Sequence, residues 1–105
     1  QASDVETLLA LFDDNASIED PVGTALREGK SALREFYSVA CEGVLSAALS
    51  GAPRLAGNEV AFPFTVTAGT VGEELTINII DVFKFNEAGK VVSMRAFWGP
   101  NNIGS

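Results

Sequence analysis

From position 77 to 85 the chain alternates, with Ile77, Ile79, Asp81, Phe83 and Phe85 on one parity and Asn78 and Lys84 on the other. A period of two with large apolar side chains on one face is the pattern of a half-buried β-strand, so the odd positions face inward. One member of that row does not belong there. An ionised carboxylate at Asp81 would cost several kcal/mol, and the usual escape is to keep its proton. A neutral carboxyl in an apolar pocket is a hydrogen-bond donor, an unusual tool near pH 7.

Asp20 repeats the theme more weakly. Ala16, Ile18, Asp20 and Val22 share one parity, while Ser17 and Glu19 share the other. Asp20 thus ends an inward row at the Pro21 turn, and is expected to be less buried than Asp81 and more easily ionised. One carboxylate that accepts a proton and one that donates a hydrogen bond would be matched roles set by environment. Each also has a plainer reading. Asp before Pro is a common turn residue, and a buried Asp can be structural where Arg or backbone amides satisfy it. Tyr37, Trp98, Met94 and the phenylalanines read first as core.

The surrounding pattern predicts an α+β fold. Ser3-Asp4-Val5-Glu6 reads as a capping box, opening a short helix through about Phe12 that buries Val5, Leu8, Leu9 and Phe12. A strand over 16–20 ends at Pro21-Val22-Gly23. Gly29 opens a second helix with Ala32, Leu33, Phe36, Tyr37 and Ala40 on one stripe, and Gly43 closes it. Strands are expected over 45–50, 59–68, 74–85 and 91–98, the last two joined by Asn86-Glu87-Ala88-Gly89. Helices first and strands afterwards place the helices on one face of a curved sheet. Two further rows, Val60 to Ala68 and Val92 to Trp98 on even positions, would help wall a dry cavity suited to a flat apolar ligand. No repeat, low-complexity stretch or linker interrupts the chain, so 1–105 reads as one domain.

Composition removes several classes of function. The net charge of −7, with seven scattered Lys and Arg, disfavours nucleic acid and anionic membranes as partners. No apolar run approaches the length of a bilayer, so no membrane insertion is expected. The absence of histidine removes the usual zinc sites and Ser-His-Asp triads, and no metal or cofactor is expected. Cys41, the single cysteine, has no internal disulfide partner, and no signal peptide is read after Gln1; the cytoplasm is the expected location. Two near-motifs carry little. Gly23 to Ser31 has one residue too many between its glycines for a phosphate-binding loop, and the Asn15-Ala16-Ser17 sequon stands without other signs of secretion.

Four segments, in order, resemble the ketosteroid isomerase family. They are Phe12-Asp13-Asp14-Asn15-Ala16-Ser17-Ile18-Glu19-Asp20-Pro21-Val22-Gly23, Arg34-Glu35-Phe36-Tyr37, Ile80-Asp81-Val82-Phe83-Lys84-Phe85 and Gly89-Lys90-Val91-Val92-Ser93-Met94-Arg95-Ala96. The resemblance spans nearly the whole chain. It implies a cone-shaped α+β fold like that of nuclear transport factor 2, with a mixed or antiparallel curved sheet and helices on its concave face, assembled as a homodimer. It implies a cofactor-independent steroid Δ-isomerase moving the C5–C6 double bond of 3-oxo-Δ5-steroids to C4–C5. Asp20 would be the proton-shuttling base and Asp81 the protonated acid at the dienolate oxygen. Tyr37 would hydrogen-bond the oxyanion-hole tyrosine. Trp98, Phe64, Val66, Met94 and Val22 would line the steroid pocket.

Family members begin with a further helix supplying the principal oxyanion-hole tyrosine, whereas Tyr37 is the one tyrosine here. Residues 1–105 are therefore read as a ketosteroid isomerase-like domain lacking that helix, either as part of a longer chain that carries it or as a true fragment. Two other readings stand beside it. Polyketide cyclases and epoxide hydrolases share the fold; such hydrolases rely on an Asp-Arg-Asp cluster, and Arg95 alternates away from the Met94 and Trp98 face. A non-enzymatic module that binds a hydrophobic ligand or dimerises is the other.

Overall fold

The computed structural model describes residues 2–104. Helix α1 (Ala2–Leu9) leads into strand β1 (Phe12–Glu19), and a two-residue strand β2 (Arg27–Glu28) precedes helix α2 (Lys30–Glu42). Strands β3 (Val44–Leu49), β4 (Arg54–Ala56), β5 (Glu59–Thr70), β6 (Glu73–Phe85) and β7 (Val91–Phe97) follow. A 3-10 turn (Pro100–Asn102) and β8 (Ile103–Gly104) complete the series. The strands form one open mixed sheet in the order β2-β1-β7-β6-β5-β3, with β4 also on β5 and β8 also on β6. Strand β1 runs parallel to β7, and the other pairings are antiparallel. This is the nuclear transport factor 2-like α+β cone that the resemblance implied.

The core sits to one side. Val5 and Leu9 of α1, Leu33 of α2, Phe12, Ala16 and Ile18 of β1, and Val91, Met94 and Ala96 of β7 are buried together. Apart from the buried Asp81, the inner rows of β5 and β6 are only half-buried, and β3 is exposed throughout. Apolar side chains that close a core near β1 and β7 therefore open into a hollow toward β3.

Several expectations change in detail. The first helix stops at Leu9, and Phe12 starts β1, although it is buried as expected. Leu11 N–H closes the helix on Leu8 O in a tight i→i+3 turn at 3.1 Å, and a single apolar residue fits either period. The Ser3 side chain, the expected cap, lies outside the described residues; the Glu6 carboxylate accepts two bonds from Arg34, at 2.7 and 3.1 Å. The inward row of β7 is Val91, Met94 and Ala96 rather than Val92, Met94 and Ala96. Lys84 pairs with Ser93 and Phe85 with Val91, so Val92 is the extra residue of a β-bulge that exchanges the faces. Strands β5 and β6 run longer than expected and meet at a two-residue hairpin, Val71-Gly72. Strands β2, β4 and β8 are too short to leave a period in sequence.

Two lysines hold the end of α1. Lys30 Nζ donates to Leu9 O at 2.7 Å and Lys90 Nζ to Ala10 O at 2.6 Å. Carbonyls at a helix C-terminus lack intrahelical partners and carry the negative end of the dipole, so ammonium groups satisfy both needs. Lys30→Met keeps the aliphatic stem and removes the charge. It is expected to lower unfolding free energy by about 1 kcal/mol, read as a lower urea midpoint with an unchanged m-value.

Candidate active site

Helices α1 and α2 roof the hollow in the sheet and leave a cavity of about 710 Å³. Its floor is Phe62, Phe64 and Val66 of β5 with Ile77, Ile79 and Phe83 of β6. Met94 and Trp98 close one side, and Leu8, Phe36 and Tyr37 come down from the helices. The carboxylates in this lining are Asp20 and Asp81, and no Lys or Arg belongs to it.

Asp81 lies mid-strand in β6, paired with Phe62 on one side and Ala96 on the other. It is the buried polar residue of the molecule among the described residues, 8 % exposed, and its Oδ1 has no hydrogen-bond partner among them. Burial, followed by the charge of Asp20, pushes its pKa up to about 7. The expectation of a carboxyl under pressure to stay neutral agrees with this environment.

Asp20 follows the last residue of β1 and is half-buried. Trp98 Nε1–H donates to its Oδ1 at 2.7 Å. Burial raises the Asp20 pKa, while the Trp98 hydrogen bond and the positive charge of Arg27 act against the rise. The larger increase belongs to Asp81, whose buried Oδ1 meets no donor among the described residues. The two environments differ in the sense that acid and base roles require.

The remaining site residues divide. Tyr37 lines the cavity, its ring 5.8 Å from Phe12 and 5.1 Å from Phe36. Trp98, Phe64, Val66 and Met94 line it as expected. Val22 does not. Strand β1 ends before Asp20, so the alternation that put Val22 inward is broken; its N–H bonds Ala96 O at 2.8 Å, and it borders a neighbouring groove. Arg95 points away from the cavity and pairs with Glu19.

Sequence reading missed Val44 and Ala47 of β3 as lining residues. The segment Val44-Leu45-Ser46-Ala47-Ala48-Leu49 lacks alternation, so no face could be assigned to it. Leu8, Phe36 and Ala40 also reach the cavity; their helical stripes marked them as inward-facing without separating core from cavity wall.

Residues 1–94 match the family model of the SnoaL-like domain, and the chain belongs to that family of the nuclear transport factor 2-like fold. Among curated proteins it is 36% identical over 96 residues to a steroid Delta-isomerase of Nocardioides simplex, covering 91% of this chain and 77% of that protein. It is 32% identical over 104 residues to the epoxide hydrolase LasB of Streptomyces lasalocidi, covering 93% of this chain and 36% of that protein. A solved structure of SalBIII, an epoxide hydrolase/cyclase-like enzyme of pyran ring formation in polyether salinomycin, superposes with a TM-score of 0.84 at 35% identity. That match covers 95% of this chain and 81% of the other. These relatives are enzymes. No helix among the described residues is long and apolar enough to cross a membrane.

The Asp81 shift has a sign that stability measurements can read. The ordinary value is 3.8 and the folded value about 7, so between them the native state keeps a proton that the unfolded chain has released. This contribution is complete below pH 4 and is lost as pH rises through about 7. Asp81→Asn cannot ionise. At pH 8 it is expected to exceed the parent chain in unfolding free energy by roughly 2–4 kcal/mol, with the gap closing toward pH 4, as measured by urea titration at each pH.

Proposed function

We propose that the chain catalyses an intramolecular proton transfer that converts 3-oxo-Δ5-steroids to their conjugated Δ4 isomers. The observation that carries this reading is a pair of carboxylates in one apolar cavity, Asp81 with its Oδ1 unpartnered among the described residues and Asp20 held by the Trp98 indole. The identity with a steroid Delta-isomerase over most of the chain supports it independently.

In this scheme the Asp20 carboxylate removes a proton from C4, and the electron pair moves into a dienolate whose charge collects on the 3-oxygen. Neutral Asp81 donates a hydrogen bond to that oxygen. Asp20, now a carboxylic acid, returns the same proton to C6, so the double bond moves and nothing is consumed. The difficulty lies in the weak acidity of a ketone's α-proton. A donor preorganised at the developing oxyanion, in a site that sheds water, lowers that barrier. Flat aromatic and aliphatic walls suit a fused-ring substrate with few polar groups. Tyr37 belongs to the same lining, and its support of the oxyanion donors is part of the proposal.

The likeness to LasB and SalBIII favours a second reading. The same acid and base could open an epoxide, Asp81 donating to the departing oxygen as Asp20 takes a proton from the attacking hydroxyl. Against it stands Arg95, which faces Glu19 outside the cavity rather than joining the two aspartates.

Mixing the chain with 5-androstene-3,17-dione and following ultraviolet absorbance of the conjugated enone tests the first reading. Conversion is expected; turnover of a hydroxy-epoxide without it would favour the second. Asp20→Asn is expected to lower kcat by about 10²–10⁴-fold while retaining binding of equilenin, a phenolic enolate mimic. Asp81→Leu is expected to weaken equilenin binding and lower kcat by about 10²–10³-fold. Interchangeable behaviour of the two variants would refute the division of roles.

A further inference from the structure

Asp20 lies beyond the last residue of β1, in a loop, yet a base must be held to within a fraction of an ångström of its proton. The loop is tied down on both sides of it. On the near side, Glu19 pairs in register with Arg95 of β7, and Arg95 Nε donates to Glu19 Oε1 at 3.0 Å. On the far side, Val22 N–H bonds Ala96 O at 2.8 Å, and the Thr24 N–H and hydroxyl both bond Pro21 O. One side chain joins the two sides: Glu19 Oε2 accepts the Gly23 N–H at 2.9 Å, four residues on and across Asp20.

We infer that Glu19, clamped by Arg95, is a positioning residue for the Asp20 carboxylate. The inference rests on the proton-transfer reading of Asp20. The two oxygens of Glu19 serve different masters, one fixed to the sheet through Arg95 and the other to the loop through Gly23. Arg95 is itself seated, its guanidinium carbon 5.2 Å from the centre of the Phe97 ring. The Glu19 side chain is 19% exposed against 47% for Arg95, so the carboxylate lies under its partner. The Gly23 N–H, then Arg95, hold Glu19 ionised, below the usual carboxylate range. Gly23 has φ +106°, a turn that aims its N–H back at Glu19 without strain from a side chain.

An ion pair at the surface contributes little to overall stability, so a purely structural role predicts only a small consequence of neutralising Glu19. A positioning role predicts a loss in the chemical step. Glu19→Gln is expected to lower kcat about tenfold while KM and equilenin affinity stay within about threefold. Arg95→Met is expected to reproduce this, and Arg95→Lys to restore most of it.

A second readout does not need turnover. Trp98 is the only tryptophan, so its indole N–H gives one resonance in a proton–nitrogen correlation spectrum, and that proton is bonded to Asp20. The resonance is expected to move in Glu19→Gln and Arg95→Met toward its position in Asp20→Asn, and to return in Arg95→Lys. An indole resonance and a kcat both unmoved by Glu19→Gln would overturn the inference. A parent chain that fails to isomerise the steroid would overturn the reaction assigned above, and the indole resonance would then decide alone whether Glu19 positions Asp20.

Discussion

Strand β6 is gripped along both edges, by β5 over its full length and by β7 and β8 on the other side. Its inner side chains therefore have no backbone freedom with which to reach water. This makes Asp81 what it is. A carboxylate on an edge strand or loop would swing outward and hydrate, whereas one locked between Phe62 and Ala96 must keep its proton or bear the cost of charge in an apolar wall. The hydrogen-bond ladder that stabilises the sheet thus also holds the acid in the protonation state its proposed role needs.

The division between core and cavity follows from the same ladder. Close packing is concentrated where α1 and α2 meet β1 and β7, and this region holds the fully buried Phe12, Ile18, Leu33 and Val91. Strands β5 and β6 extend past it as a long hairpin whose inner face has helix only over part of its length. Aromatic contacts stiffen that face: Phe62 meets Phe83 edge-on at 5.3 Å and Phe64 at 5.7 Å. Such a wall keeps its shape without being filled, as a preformed ligand site requires.

How much of this could be read from sequence varied with the period of each segment. The alternation through Ile77, Ile79, Asp81 and Phe83 was long and regular, and it put Asp81 on the buried face where the structure has it. Asp20 was placed by a shorter row, which held through Ala16 and Ile18 and failed at Val22, because the strand ends at Glu19 and a turn obeys no parity. The β7 row was misread at Val91 because a bulge inserts a residue that composition does not announce. Strand β3 offered no pattern. The Glu19–Arg95 pair was invisible as a pair, since 76 positions separate its members and only the parallel pairing of β1 with β7 brings them together. Sequence periodicity reports which face a residue occupies; long-range register decides whom it meets there.

A steroid isomerase, an epoxide hydrolase and an epoxide hydrolase/cyclase-like enzyme among the relatives of one chain set a puzzle of shared fold and different chemistry. The physical demands of the reactions overlap. Each calls for a donor at an oxygen gaining electron density, a base at a proton being lost, and walls that control which nucleophile or water reaches the reacting atoms. An apolar cone with two carboxyl groups on its floor and rim can offer a donor and a base, and further charges in the cavity would shift the balance between them. A guanidinium inside would stabilise both aspartates as anions and weaken the case for a neutral acid. Here the β7 arginine is turned outward, and Glu19 supplies its counter-charge on the far face. Asp81 is consequently left with burial and a like-charged neighbour as its strongest influences, both of which favour the proton. The outward turn of one arginine thus bears directly on whether this cavity holds two anions or an acid and a base.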